Sequence, residues 1–248
     1  MDGMTAARQA QLADALASVR TRLKDAATAV GRNASEIELL PITKFFPATD
    51  VAILSQLGCE SFGESREQEA AAKAAEVATL VRAPVRWHMV GVIQRNKARS
   101  IAEWAYAAHS VSTARVVTAL QRHVARALED GRRSEALRVY VQISLDGDVS
   151  RGGVDISKPD LVDEICAQVA AGDGLELVGL MGIPPMDSDP DEEFAKLAAE
   201  HRRVLRAHPE AVQLSAGMSA DLEIAVTHGS TCVRVGTALL GQRPLTSP

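Results

Sequence analysis

Short apolar segments alternate with helical patterns along most of the chain, and this alternation constrains the fold more than any other feature. Strands are predicted at residues 37–43, 60–63, 85–90, 107–112, 137–143, 176–181, 212–215 and 231–235. Helices are predicted between them, at 49–58, 65–80, 95–104, 113–130, 158–171, 190–207 and 218–227, with a last short turn from Gly236. Such alternation indicates parallel strands joined by right-handed crossovers.

The number of units favours a barrel over an open sheet. Eight strand–helix units in roughly 210 residues fit a closed (β/α)8 barrel. Ahead of them, apolar residues at helical spacing predict a helix over residues 1–31 that ends at Gly31. No Pro/Gly/Ser-rich linker divides the chain, and 182–193 (GIPPMDSDPDEE) is predicted to be a βα loop with its acidic residues at a helix start. We therefore predict an α/β fold, a single-domain TIM-type barrel over 1–248, with the extra N-terminal helix packed on it.

Charge and composition exclude several classes of partner. The net charge is −5 and no basic stripe interleaved with aromatic residues occurs, which argues against nucleic acid. No apolar run approaches the ~20 residues of a membrane span, and the first residues do not resemble a signal peptide. We expect a soluble cytoplasmic protein without a metal site, whose three widely spaced cysteines, Cys59, Cys166 and Cys232, are buried free thiols.

One lysine stands out against its neighbours. Lys44 ends the first strand within the apolar run LLPITKFFP (39–47), and such surroundings disfavour a charged amine and make it nucleophilic. Barrel chemistry lies at the carboxyl ends of strands, and phosphate groups are often held by the last two loops. Those loops read SAGMS (215–219) and VGTALLG (235–241), which offer free backbone amides at helix starts. A lysine facing a phosphate cradle suits either a pyridoxal phosphate Schiff base or an aldolase acting on a sugar phosphate.

Several ordered motifs resemble one family, the pyridoxal phosphate homeostasis proteins. The resemblance runs through nearly the whole chain and is carried by LLPITKFFP (39–47), FGESREQEA (62–70), WHMVGVIQRNKAR (87–99), HSVSTARV (109–116), VQISLDGDVSRGGV (141–154), VGLMGIPP (178–185) and LSAGMSADLEIAVTHGSTCVRVGTALLGQR (214–243). It implies a barrel like the barrel half of alanine racemase, with pyridoxal 5'-phosphate held on Lys44. Ser65 departs from the family's FGEN pattern, where asparagine is expected.

The resemblance also assigns the remaining cofactor contacts. Ser215, Gly236 and Thr237 would contact the phosphate, with backbone help from Gly217 and Met218. Arg234 would face the pyridine nitrogen, and because arginine only donates hydrogen bonds, that nitrogen should stay unprotonated. An unprotonated pyridine is a poor electron sink, which disfavours carbanion chemistry.

Racemases of this fold use a tyrosine base supplied with a second, β-rich domain. We expect no such domain after Pro244, and the only tyrosines, Tyr106 and Tyr140, lie in or beside core strand patterns. The leading hypothesis is therefore a carrier that binds pyridoxal phosphate, limits its free concentration and passes it to apo-enzymes, with no catalytic residue. A pyridoxal phosphate-dependent racemase or lyase is the alternative, and a cofactor-free aldolase is a third.

Other polar residues receive structural interpretations. His88, His109 and His228 are predicted to be packed, hydrogen-bonded core histidines, with His88 lining the pocket as the second possibility. Asn96 and Lys97 are expected at the mouth of the barrel.

Overall fold

The computed structural model describes residues 2–242 as one parallel sheet surrounded by helices. The strands are β1 Glu38–Pro41, β2 Ser61–Glu64, β3 Arg86–Met89, β4 Ala107–Val111, β5 Leu137–Ser144, β6 Val154–Asp155, β7 Leu175–Gly182, β8 Gln213–Ser215 and β9 Cys232–Val235. The α-helices are α1 Asp2–Ala29, α2 Ala48–Gln56, α3 Glu67–Leu80, α4 Ala98–Trp104, α5 Ala114–Glu129, α6 Pro159–Ala170, α7 Pro190–Val204, α8 Leu222–Thr227 and α9 Thr237–Leu240. Short 3-10 turns lie at Ala34–Glu36, Arg95–Lys97 and Val149–Arg151.

The strands form a barrel, which confirms the predicted fold class. Their order is β1-β9-β8-β7-β5-β4-β3-β2, every pairing is parallel, and β6 pairs only with the end of β5. The two end strands meet through a bridge between Ile42 and Gly63, where the Thr43 amide donates to the Gly63 carbonyl at 3.0 Å. A Cβ at Gly63 would lie 2.4 Å from Ile42 Cδ1. Glycine is therefore what allows this close approach at the seam.

The predicted elements are found in order, with two local differences. The strand β6 is missing from the prediction, because two residues are too few to give an alternating pattern. The helix predicted from 218 begins only at Leu222. Gly217 has φ +90°, and the Met218 amide donates to Asp221 Oδ1 at 2.5 Å. These two features hold residues 217–221 as a loop ahead of α8.

The loop after β7 follows the sequence prediction closely. Asp189 caps α7, since its side chain accepts a hydrogen bond from the Asp191 amide at 2.9 Å, and Pro190 is the first helical residue. Asp191, Glu192 and Glu193 occupy the first turn, where the helix dipole favours negative charge.

The N-terminal helix packs on the outside of the barrel. Leu12, Leu16, Val19 and Leu23 are buried, and α1 contacts α2, α8 and α9. The prediction of a single domain over 1–248 stays a prediction, because Met1 and 243–248 lie outside the described residues. Within 2–242, no helix combines the length and the apolar character needed to cross a bilayer. Cys59, Cys166 and Cys232 are buried free thiols.

Candidate functional site

Lys44 lies at the carboxyl end of the barrel, three residues after β1. The Ile42 amide donates to the Val235 carbonyl at 2.9 Å, so the chain leaving β1 is tied to the chain leaving β9. An ideal Cβ at Gly236 would be 3.7 Å from Ile42, which brings the start of α9 to the same edge. The structure therefore brings the lysine segment and the 236–237 segment together, as the sequence predicted.

The expectation that Lys44 sits in an apolar setting is wrong, because its side chain is exposed. The chain turns sharply after β1, with the Phe46 amide donating to the Thr43 carbonyl at 3.0 Å. Phe45 has φ +71°, a left-handed conformation that is uncommon for a bulky side chain. The Lys44 ammonium stands 5.9 Å from the centre of the Phe45 ring. Backbone strain of this kind concentrates at functional sites, and here it lies directly next to Lys44.

A buried polar cluster anchors this turn from below. Thr43 Oγ1 donates to Glu64 Oε1 at 2.7 Å, and Lys73 Nζ donates to the same oxygen at 2.7 Å and to the Thr43 carbonyl at 2.9 Å. Glu64 is fully buried, and its second oxygen, Oε2, has no hydrogen-bond partner among the described residues. Glu64 belongs to the FGES motif of the family resemblance, but the sequence analysis assigned it no role.

The loops after β8 and β9 form a joined pair. The Arg234 amide donates to the Gly217 carbonyl at 2.9 Å, and the Ala238 amide donates to Ser219 Oγ at 3.2 Å. The first amides of a helix have no intrahelical partner, so Thr237 at the start of α9 offers one to an anion. The Met218 amide, in contrast, is engaged with Asp221. Ser219, whose hydroxyl bridges the two loops, was missed as a candidate.

Arg234 and Ser215 lie beneath these loops, inside the barrel. Arg234 Nη1 donates to Ser215 Oγ at 2.6 Å, and Nη2 donates to the Gly182 carbonyl at 3.0 Å. Both residues are buried, and Arg234 forms no ion pair with any described carboxylate. Burial lowers the pKa of the Arg234 guanidinium from its ordinary value. A buried cation without a carboxylate leaves hydrogen-bond donors that an acceptor in the barrel mouth would satisfy.

Two histidines continue this network through the barrel. His109 Nδ1 lies 2.9 Å from Ser215 Oγ, and His109 Nε2 lies 2.9 Å from His88 Nδ1. His109 also stacks on Tyr140 with ring centres 4.1 Å apart. Burial lowers the pKa of His88 to about 4 and that of His109 well below its ordinary value, so both rings are neutral near pH 7. The prediction of packed core histidines is confirmed for these two residues.

The remaining candidates lie elsewhere. His228 is not a core histidine, since it is partly exposed and its Nε2 lies 2.8 Å from Asp191 Oδ1. Lys97 pairs with Glu67 at 3.2 Å on the loop side of the barrel. Tyr106 lies at the opposite end of the barrel, at the amino ends of the strands. Arg138 Nη1 donates a hydrogen bond to its hydroxyl at 3.2 Å.

The buried histidines predict a pH dependence of stability. Between pH 6.5 and about 4, the unfolded chain binds a proton at residue 88 that the folded chain excludes, so the free energy of unfolding falls as the pH falls. The loss due to His88 is about 3 kcal/mol across this window. Urea denaturation at pH 7 and pH 4 measures it. The loss should shrink in His88→Asn, which keeps an amide in place of Nδ1. An equal loss in His88→Asn and the unmodified protein would contradict this origin.

Comparison with known proteins identifies relatives over nearly the whole chain. Residues 15–244 match the family model described as alanine racemase, N-terminal domain. A pyridoxal phosphate homeostasis protein from Mycobacterium tuberculosis is 65% identical over 248 residues, which cover 97% of this chain and 96% of the relative. PipY of Synechococcus elongatus with PLP bound has a TM-score of 0.78 at 30% identity, covering 93% of this chain and all of the other (100%). Alanine racemase from Corynebacterium glutamicum shares the fold, with a TM-score of 0.65 at 18% identity over 95% of this chain and 63% of the other.

Proposed function

Because the chain belongs to the pyridoxal phosphate homeostasis proteins, within the alanine racemase N-terminal domain family, we propose that it holds pyridoxal 5'-phosphate as a Schiff base on Lys44. Its role is pyridoxal phosphate homeostasis in the cytoplasm, without catalytic turnover. The observation that carries the proposal is the pairing of β1 with β9, which sets the Lys44 segment beside the start of α9. Support also comes from PipY, a relative of known structure with PLP bound.

The residues at the mouth fit this cofactor. Bound pyridoxal phosphate supplies an aldehyde, which condenses reversibly with an amine and releases water. Lys44 offers an exposed amine for that bond. Gly236 and Thr237 offer backbone amides to the phosphate, and Gly217 leaves space where a Cβ would meet α8. Ser215 Oγ already accepts a hydrogen bond from Arg234. Ser219 is therefore a second candidate for a hydroxyl contact to the phosphate.

Arg234 is the residue that we propose limits the chemistry. A guanidinium has donors only and stays charged, so it keeps an acceptor nitrogen opposite it unprotonated. Hydrogen bonds to Ser215 and Gly182 hold the group in place, and burial excludes water from it. A residue arranged in this way favours storage of the cofactor over stabilisation of a carbanion.

The placement of the tyrosines supports the same conclusion. The sequence contains two. Tyr140 is buried and stacked on His109, while Tyr106 lies at the amino ends of the strands against Arg138. Neither lies at the mouth with Lys44, so no tyrosine of this chain is placed to exchange a proton there.

Exchange of the α-hydrogen of amino acids in deuterated water tests the absence of turnover. We expect the loaded protein to exchange a panel of L- and D-amino acids no faster than free pyridoxal phosphate at the same concentration, as measured by proton NMR. Sustained exchange that disappears in Lys44→Ala would instead establish the racemase or lyase alternative. Tyr106→Phe is the matched control, because its hydroxyl lies at the other end of the barrel.

Transfer of the cofactor is tested separately. Loaded protein, freed of excess cofactor by gel filtration, is mixed with an apo pyridoxal phosphate enzyme, and recovery of that enzyme's activity is followed. If the protein passes its cofactor on, activity returns and the absorbance of the loaded protein declines in step. Recovery that equals the rate of spontaneous release, measured by dialysis, would restrict the role to storage.

A further inference from the structure

A cavity lies at the end of the barrel opposite Lys44. It has a volume of about 460 Å³ and is lined by residues at or near the amino ends of the strands, among them Glu38 of β1, His88 of β3 and Arg138 of β5. This volume is typical of a site for a small molecule. None of the residues assigned to the cofactor lines it, so the cavity is separate from the site proposed above.

Glu38 and Arg138 line the cavity with opposite charges and do not pair with each other. Arg20, Glu36, Glu60 and Arg86 also line it, and the last three are ion-paired, Glu60 with Arg86 and Glu36 with Arg32. Arg138 forms no ion pair with a carboxylate in the described part of the chain, and its guanidinium is held by Tyr106, through the hydroxyl at 3.2 Å and the ring centre at 5.5 Å. Glu38 pairs with no lysine or arginine of residues 2–242, and its nearest basic group is His88 Nε2 at 3.8 Å. Both side chains are partly buried, where an uncompensated charge is costly.

The cavity wall also contains a buried nitrogen, His88 Nε2, that lacks a hydrogen-bond partner among the described residues. His88 is 1% exposed, and the distance of 3.8 Å from its Nε2 to Glu38 is too long for a hydrogen bond. Buried polar atoms without partners are rare and call for an explanation. A ligand in the cavity that His88 lines would supply the missing partner.

The direction of the histidine network determines what that partner must offer. Arg234 donates to Ser215, and each neutral ring carries one N–H. If Ser215 donates to His109, both rings carry the proton on Nε2, and His88 offers a donor to the cavity. If His109 donates to Ser215, both protons are on Nδ1, and His88 offers an acceptor. A molecule with both an acceptor and a donor group satisfies either arrangement.

We propose that this cavity is a binding site for a small zwitterion that carries a carboxylate and a protonated amine, the chemistry of a free amino acid. The carboxylate pairs with Arg138, and the ammonium pairs with Glu38. One of the two groups completes the hydrogen bonding of His88 Nε2. A simple anion would leave Glu38 unpaired, and a simple cation would leave Arg138 unpaired.

Glycine is the probe that tests this site. Calorimetry on the full chain, with the ring nitrogens of His88 followed by NMR, should give saturable binding of glycine and a shift of the Nε2 signal. Acetate and methylammonium, which each carry one of the two charges, should bind at least about tenfold more weakly. Binding should be unchanged in Lys44→Ala, which excludes the amine at the barrel mouth as the binding site.

Variants locate the binding. Glu38→Gln keeps the shape of the side chain and removes its charge, and Arg138→Met keeps most of the length. Each should weaken glycine binding about tenfold, while the surface variant Arg122→Met on α5 should leave it unchanged. Circular dichroism confirms that the variants fold. The proposal is overturned by any of three results: no saturable binding up to about 50 mM glycine, equal affinity in both cavity variants and the unmodified protein, or loss of binding in Lys44→Ala.

Discussion

Lys44→Ala is expected to lose all covalent attachment of pyridoxal phosphate. The unmodified protein, loaded with the cofactor and reduced with borohydride, should carry the reduced cofactor on one peptide, the one that contains Lys44. Borohydride converts a reversible bond between the aldehyde and the amine into a stable one, so mass spectrometry of the digested protein reads the attachment site directly. In Lys44→Ala, the label and the visible absorbance of the loaded protein should both be absent.

Lys97→Ala is the matched control for this experiment. Lys97 is partly exposed, and its amine lies 3.2 Å from Glu67. Because Lys97 is expected at the barrel mouth, it tests whether any accessible amine there is labelled as readily as Lys44. Labelling of Lys97 in place of Lys44, or an undiminished label in Lys44→Ala, would refute the assignment of the Schiff base.

The barrel was predictable because its evidence is repeated along the chain. The paired strands β5 and β7, eight residues each, are largely apolar, and the next α-helix after each begins with a proline. The Asp189 cap and Pro190 could be placed from sequence alone, since both act through their own backbone neighbours. The start of α8 could not, because it depends on the φ angle of Gly217 and on one side-chain hydrogen bond.

The site was predictable in its position and less so in its detail. Topology alone places Lys44 beside the start of α9, once the last strand is known to pair with the first. Lys44 is exposed, and it precedes Phe45, whose left-handed conformation no local pattern in the sequence indicates. The apolar residues around Lys44 therefore predicted its position at the end of the strand but not the exposure of its side chain.

The histidine network shows a second limit of sequence analysis. His88 and His109 are 21 positions apart, and His109 and Ser215 are 106 apart, yet their side chains are in hydrogen-bond contact. A single sequence contains no information on such contacts between distant strands, because they depend on which residues of neighbouring strands face inward at the same level. Core burial of the two histidines could be predicted, but their mutual bonding and the cavity beside them could not.

Gly217→Ala is expected to destabilise the protein and weaken cofactor binding together. Gly217 has φ +90°, and an added Cβ would lie 2.6 Å from the Ala225 Cβ and 3.2 Å from the Leu222 Cα. The first of these contacts is a clash with α8, so the loop or the helix must move. The combined penalty of the backbone conformation and of overpacking is about 2–4 kcal/mol. Urea denaturation measures it as a lower midpoint at an unchanged slope.

Gly229→Ala separates the two contributions. Gly229 has nearly the same φ, +91°, but nothing lies within 4 Å of the position that a Cβ would take. This variant should lose only about 1 kcal/mol, from the backbone conformation alone. Because the Gly217 carbonyl accepts from the Arg234 amide, a shift of this loop also moves the cradle after β9. Pyridoxal phosphate should therefore bind more weakly to Gly217→Ala and normally to Gly229→Ala, as followed by absorbance. Equal losses of stability in the two variants would mean that contact with α8 does not constrain Gly217, and unchanged cofactor affinity in Gly217→Ala would remove this loop from the cradle.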